Sequence, residues 1–210
     1  MQQGLLPLFP LPVVLLPRTT LPLHIFEDRY KELIGDVLPD HSEFGIVMAR
    51  EKGIANAGCT AVIEKVLERY PDGRLDILTS GRHRFEILVL DEEKSYLRAS
   101  VEFFDDDEPV GEMPAGVKKR ALDAYQALRA LDDSAPDAEL HDAQLSFQLA
   151  QTIEDADFRL RLLRLRSEPE RLRQLVEFCE SYIPRQRLIA GLKRVQPLNG
   201  HSHLRFPDGA

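Results

Sequence analysis

Three groups of side chains in this sequence are of types that commonly perform chemistry. His201 and His203 lie one residue apart near the end of the chain and could contact a metal ion. The acidic run 105–108 could hold a divalent cation, and Cys59 and Cys179 could act as nucleophiles. Each group has to be weighed against a purely structural role.

The structural role is favoured for all three groups. A zinc site needs about four nitrogen or sulfur ligands, and no acidic or cysteine cluster accompanies the histidines. Cys59 opens a predicted strand and Cys179 lies on the apolar face of a predicted helix, so we interpret both as packed small hydrophobes. The acidic run precedes Pro109 and Gly111, a pattern typical of a solvated linker. The sequence also lacks the common phosphate-loop, dinucleotide, zinc-protease and serine-hydrolase motifs. We predict no catalytic residue, no metal and no cofactor.

A cluster of arginines in "FRLRLLRLR", residues 158–166, is the remaining charged feature. Such a cluster could grip phosphate groups. Acidic residues on both sides favour a salt-bridged helix face instead; they are Glu154, Asp155, Asp157, Glu168 and Glu170. Context favours a helix over a strand for this segment.

Composition points to a water-soluble globular chain. It has 210 residues, 43% of them hydrophobic and 30% charged, with a formal net charge of −8. Residues 1–112 hold 12 Lys and Arg against 21 Asp and Glu, while the rest is nearly balanced, so nucleic-acid binding is disfavoured. With only two widely spaced cysteines, the chain is expected in a reducing compartment, which we interpret as the cytoplasm.

The apolar stretch "LLPLFPLPVVLLP" superficially resembles a targeting signal. No Lys or Arg precedes it, its prolines would interrupt a signal helix, and no cleavage motif follows. It is too short to span a bilayer. We interpret it as the start of the fold, with "LPLFPL" as a first strand and "PVVLLP" as a second extended piece before a turn at 18–20.

The first half of the chain is predicted to form strands after one early helix. Apolar residues recur at helical spacing in 30–38, and then the period changes to alternation. Runs typical of strands follow at 44–50, 59–70, 74–81, 83–90 and 96–104. Asp72-Gly73 is typical of a tight turn between two strands. Five or six strands with short connections predict a small closed or half-closed barrel.

The second half is predicted to be helical. Apolar stripes occupy 117–131, 140–153 and 167–183, and Pro184 is expected to end the last of these or to start a new turn before a final short helix at 185–195. We therefore predict an α+β protein with two subdomains, a barrel over 1–112 and a helical bundle over 113–210.

The opening segment "LPLFPLPVVLLPRTTLPLHIFEDRYKELI" resembles the N-terminal, substrate-binding domain of Lon proteases. Further pieces of that family pattern are "FGIV", "GCTAVIEKV", "DGRLDILTSGRHRFEI" and "YLRASVEFFDDD". The resemblance is strong over 5–107 and looser over 140–180. It implies a PUA-like pseudo-barrel followed by a helical bundle.

The resemblance also implies a function, which is polypeptide binding without ATP hydrolysis or peptide cleavage. We expect a stand-alone Lon-domain protein that recognises unfolded or exposed segments, as an adaptor or with a protease or chaperone partner. The family pattern suggests binding residues in "IFEDRY" and "GRHRFEI": Phe26, Arg29, Tyr30, Arg82, Arg84 and Phe85. Core and scaffold roles for these residues remain open. So does an RNA-associated function of the PUA-like barrel. The sequence does not predict an oligomeric state.

Overall fold

A computed structural model describes residues 4–107, 115–130 and 144–195 of the chain. Within these residues the fold is α+β, with an early helix among the strands and further helices after them, as the sequence predicts. The strands are β1 (Leu6–Leu11), β2 (Thr20–Ile25), β3 (Phe44–Ala49), β4 (Ile54–Arg69), β5 (Leu75–Asp91) and β6 (Arg98–Phe104). The helices are α1 (Asp28–Val37), α2 (Ala115–Arg129), α3 (Leu145–Leu149), α4 (Ala156–Arg164) and α5 (Glu168–Val195), with a 3-10 turn at Ala150–Thr152.

The six strands form one sheet that closes on itself. Their order is β2-β5-β4-β3-β1-β6, and β6 also pairs with β5. A continuous circuit therefore runs through β1, β3, β4, β5 and β6. The β1–β3 pair is parallel and the other pairs are antiparallel. The predicted pseudo-barrel is confirmed.

β4 and β5 form one long hairpin. β5 is long enough to pair with β2 near its start and with β6 near its end. The turn of the hairpin contains Gly73 at φ 85°, a conformation that glycine adopts without steric cost. The prediction of separate strands at 74–81 and 83–90 is wrong, because β5 continues through Gly81. A side chain at Gly81 would overlap the backbone carbonyl of Leu16, so this glycine permits a close chain crossing and does not break the strand.

The apolar opening stretch belongs to the fold. "LPLFPL" is β1, as predicted. The following residues Val14, Leu15 and Leu16 are buried but form no strand, so the second extended piece is not part of the sheet. The predicted turn is present, and Arg18 has φ 60° there.

Helix α1 packs one face into the core through Tyr30, Leu33, Ile34 and Val37. The arginine-rich segment forms α4, as predicted. Pro184 neither ends the last helix nor separates two helices, because α5 runs through it. Proline has no amide hydrogen, so Pro184 cannot donate the usual helical bond to the carbonyl of Glu180.

One hydrophobic cluster includes buried residues from the barrel and from the helices, for example Phe44 of β3 and Leu162 of α4. A second, smaller cluster fills one side of the barrel with Leu6, Leu8 and Phe85. The predicted subdomain boundary at 112/113 lies outside the described residues and stays a prediction. His201 and His203 also lie outside them.

Candidate functional site

Phe26, Arg29 and Tyr30 lie in the short segment where β2 leads into α1. Phe26 is 58% exposed. The Arg29 guanidinium pairs with Glu27 at 2.7 Å and lies 4.5 Å from the centre of the Tyr30 ring. Tyr30 is buried, and its ring stacks on that of Phe9 at 4.0 Å between centroids. The half-exposed Arg29 cation therefore lies over a buried tyrosine, and the exposed Phe26 ring lies 5.9 Å from the His24 ring.

Three hydrogen-bonded polar side chains, those of His24, Tyr70 and Asp76, lie next to Phe26. The His24 Nδ1 lies 2.5 Å from the Asp76 carboxylate, and the Tyr70 hydroxyl donates to the same carboxylate at 2.7 Å. Hydrogen bonds from His24 and Tyr70 lower the pKa of Asp76. The bond to Asp76 raises the pKa of Tyr70 to about 12. An aromatic surface with a polar rim is an arrangement suited to peptide contact.

Arg82 lies apart from this surface. Ile25 pairs with Leu75 of β5, and Arg82 is seven residues further along the same strand, or roughly 23 Å at about 3.3 Å per residue. The Arg82 guanidinium donates to Glu64 of β4 at 2.9 Å, and its side chain is about half exposed. The predicted residues therefore do not form one site.

Arg84 and Phe85 are buried, with 1% and 0% of their surface exposed. Phe85 belongs to the smaller barrel cluster. Arg84 donates to the carbonyl oxygens of Leu163 and Leu165 and to Asp106. Because both side chains are buried, neither can contact a polypeptide bound at the surface.

Arg84 is part of a buried ionic cluster, which we define as Arg84, Asp106, Ser146, Glu168 and Arg171. Arg171 donates to both carboxylate oxygens of Asp106, at 2.5 and 2.6 Å, and to Glu168 at 2.7 Å. Glu168 also accepts from the amide and hydroxyl of Ser146. The cluster joins the end of the barrel to α3 and α5.

The cluster shifts the pKa values of its two acids in opposite directions. Hydrogen bonds and positive charge from Arg171 and Arg84 outweigh burial and lower the pKa of Asp106. Burial raises the pKa of Glu168 despite its hydrogen bonds. The sequence did not reveal this cluster, because its members come from segments that are far apart in the chain.

Two predictions about charged residues are corrected by the structure. The acidic run 105–108 is not simply a solvated linker, because the Asp106 side chain is only 11% exposed and is paired twice. The predicted pairing of the α4 arginines with Glu154, Asp155, Asp157, Glu168 and Glu170 is wrong for the described residues. The Arg164 guanidinium donates to Asn56 of β4, and Arg166 pairs with Asp107. Two of the acids have other partners: Asp157 pairs with Arg50, and Asp155 accepts the amide of Phe158 at the start of α4.

An apolar cleft lies between the start of β1 and β6. Gly4, Leu6, Ser100, Val101 and Phe103 line a volume of about 200 Å³. Phe103 is 50% exposed. Nearby, the end of β5 also carries exposed apolar residues, namely Leu88, Val89 and Leu90. Sequence reasoning missed this region, since alternation alone does not show where a barrel closes incompletely.

A second groove of about 370 Å³ lies between α2 and α5. Its floor includes Ala124, Ala127 and Cys179, and its rim carries both charge signs.

Burial raises the pKa of the Cys179 and Cys59 thiols to about 12, which makes both poor nucleophiles. The described residues contain no group of three or more potential metal ligands. No helix of the described part is long and apolar enough to cross a membrane.

The described residues form a closed barrel followed by helices, with Phe26 exposed where β2 leads into α1. The model of the ATP-dependent protease La (LON) substrate-binding domain matches residues 5–184, and the chain belongs to this family. It is 29% identical over 197 residues to a Lon protease of Roseiflexus castenholzii, and 31% identical over 113 residues to one of Parabacteroides distasonis. These matches cover 83% and 50% of this chain but only 24% and 14% of those proteins.

Solved structures agree with this assignment. The Lon N-terminal domain protein from Xanthomonas campestris is 26% identical, with a TM-score of 0.69, and the match covers 84% of this chain and 99% of that one. The N-terminal domain of the Mycobacterium avium complex Lon protease has the same fold, with a TM-score of 0.61 at 18% identity, over 85% of this chain and 100% of that one. The family supports a substrate-binding role and does not favour the RNA-associated alternative.

Proposed function

We propose that this chain binds polypeptide segments that are unfolded or exposed, and that it does so as an adaptor without catalysis. The single observation that carries the proposal is membership of the Lon substrate-binding family over residues 5–184. The exposed aromatic Phe26, and the half-exposed cation of Arg29 three residues further along the chain, support it as side chains that a flexible chain can contact.

The predicted site residues divide into two roles in this proposal. Phe26, Arg29 and Arg82 contact the bound polypeptide, because their side chains reach solvent. Tyr30 holds Arg29 in place from below. Arg84 and Phe85 act indirectly, by maintaining the barrel that presents the other residues.

The partner is an unfolded or partly folded polypeptide, delivered to or shared with a protease or chaperone. Both cysteines are free and buried, which supports a reducing compartment such as the cytoplasm. In the absence of catalysis, casein incubated with the chain, with and without ATP, stays intact.

Binding is measured by fluorescence anisotropy with labelled unfolded proteins, such as reduced carboxymethylated lactalbumin and casein. The Phe26→Ser variant is expected to weaken binding about fivefold, since it removes roughly 1 kcal/mol of apolar contact. Leu188→Ser is the matched control, because Leu188 is similarly exposed on α5. Absence of binding to several unfolded proteins at micromolar concentration would contradict the proposal.

A further inference from the structure

The edge of β6 that faces β1 is open over most of its length. β1 pairs with β6 only at Leu6–Ala99 and Pro7–Arg98. The Leu8 amide then donates to the carbonyl of Leu97 at 2.7 Å. Among the described residues, β6 has no partner on this side beyond Ala99, although the strand continues to Phe104.

Alternation along the strand tells which backbone groups face the open edge. The carbonyl of Leu97 points toward β1, and in an antiparallel ladder every second residue points its amide and carbonyl to the same side. The backbone groups of Val101 and Phe103 therefore face outward and lack a protein partner among the described residues. Such a row of donors and acceptors is a template for another extended chain.

Two other open strand edges of the barrel, those of β2 and of the free part of β4, carry features that discourage strand addition. β2 contains Pro22, and the free part of β4 contains Lys65, Arg69 and register irregularities. Proline, lysine and bulges are common means of protecting edges. The open part of β6 contains no proline, lysine or arginine, so this edge is left available.

Side chains on the two faces of β6 specify what kind of segment fits. On the inner face, Val101 and Phe103 line the apolar cleft of about 200 Å³. On the outer face, Glu102 lies directly opposite Glu86 of β5. Like charges in this position repel each other, and no ion pair of the described residues neutralises either one. A cation on an added strand would lie beside Glu102 and relieve this repulsion.

We propose that the open edge of β6 binds an extended segment of a partner polypeptide as an added strand, with apolar residues alternating with Lys or Arg. The apolar residues enter the cleft beside Val101 and Phe103, and the basic residues face Glu102. This inference rests on the proposed polypeptide-binding function and specifies one mode of recognition. The surface around Phe26 is a separate contact region.

The probe is a short fluorescein-labelled peptide of alternating valine and lysine, measured by anisotropy. Phe103→Ser is expected to weaken its binding at least about fivefold through lost apolar contact. Leu67→Ser is the matched control, because Leu67 is also about half exposed and lies on the open edge of β4. Circular dichroism and thermal melting establish that both variants are folded. Equal loss in both variants, or none in Phe103→Ser, would overturn the inference.

Charge exchange tests the basic preference. Replacing the peptide's lysines by glutamates is expected to weaken binding to the wild type about threefold per contact, and Glu102→Lys is expected to reverse the preference. Glu102 is exposed, so this variant should fold normally. An unchanged preference in Glu102→Lys would contradict the placement of the peptide.

Backbone methylation tests strand addition itself. Two peptide isomers carry N-methyl groups on alternate residues, one set at odd positions and the other at even positions. Only one set faces β6 in an added strand, so one isomer should lose binding and the other should keep it. Equal binding of the two isomers would overturn the inference. If the two isomers bind equally but unfolded proteins still bind the wild type, the proposed function stands and only the strand-addition mode is lost. If unfolded proteins do not bind the wild type, the proposed function itself fails.

A second copy of this chain is the competing occupant of the edge. Sedimentation at the same concentrations is expected to show no self-association that depends on Phe103. A dimer abolished by Phe103→Ser, without peptide binding, would instead assign this edge to self-association.

Discussion

Replacement of Arg171 by Met should strongly destabilise the fold. Arg171 is 0% exposed, and its guanidinium bonds two carboxylates, the Ser146 hydroxyl and the carbonyl of Leu165. Methionine keeps much of the apolar volume but leaves Glu168, whose side chain is 1% exposed, without its cation. Breaking a buried pair in this way typically costs about 3–5 kcal/mol. We expect a loss of this size in the free energy of unfolding at pH 7.

Urea unfolding followed by circular dichroism measures this loss. Arg173→Met is the matched control on the same helix, because Arg173 is about half exposed and pairs with Glu170 at the surface, where a pair contributes about 0–1 kcal/mol. In Arg171→Met, Glu168→Gln should recover part of the lost stability, since it removes the stranded charge. A loss below about 1 kcal/mol in Arg171→Met, equal to that of the control, would refute the reasoning.

Three further predictions concern the barrel and its acids. The pKa of Asp106 is lower in the folded than in the unfolded chain. Its contribution to stability is therefore complete above about pH 5 and is lost as the pH falls through the folded pKa. Asp106→Asn should flatten the acid side of a curve of unfolding free energy against pH, and an unchanged acid side would count against the pairing. Leu33→Asp should lower the free energy of unfolding by several kcal/mol because Leu33 is 0% exposed. Val101→Asp should lower it less because Val101 is only partly buried. Melting temperatures compare the two variants, and equal shifts would contradict the difference in burial. Gly81→Ala should cost at least about 2 kcal/mol in urea, since its Cβ would overlap a backbone carbonyl, and a neutral result would show that the chain crossing can relax.

Local patterns in the sequence predict most of the elements. The alternation in β4 and β5, the Asp72-Gly73 turn and the apolar face of α1 are all present in the structure. The prediction fails at two residues. Gly81 is typical of a strand break in the sequence, but in the fold it permits a close crossing with the Leu16 backbone. Pro184 is typical of a helix end, but α5 continues through it.

The candidate site is less accessible to sequence reasoning. Phe26 and Arg84 lie in equally recognisable family motifs, yet one side chain is exposed and the other is buried in an ionic cluster. Exposure depends on which distant segments pack over a residue, and a local pattern does not contain this information. The same holds for the cleft beside Phe103, which exists because β1 pairs with only a short part of β6.

Titration of a labelled unfolded protein with the wild-type chain tests the central claim most directly. The account predicts saturable binding at micromolar concentration, with no cleavage of the bound protein and about fivefold weaker binding to Phe26→Ser than to Leu188→Ser. Absence of binding to several unfolded proteins, from a chain shown to be folded by circular dichroism, would contradict it.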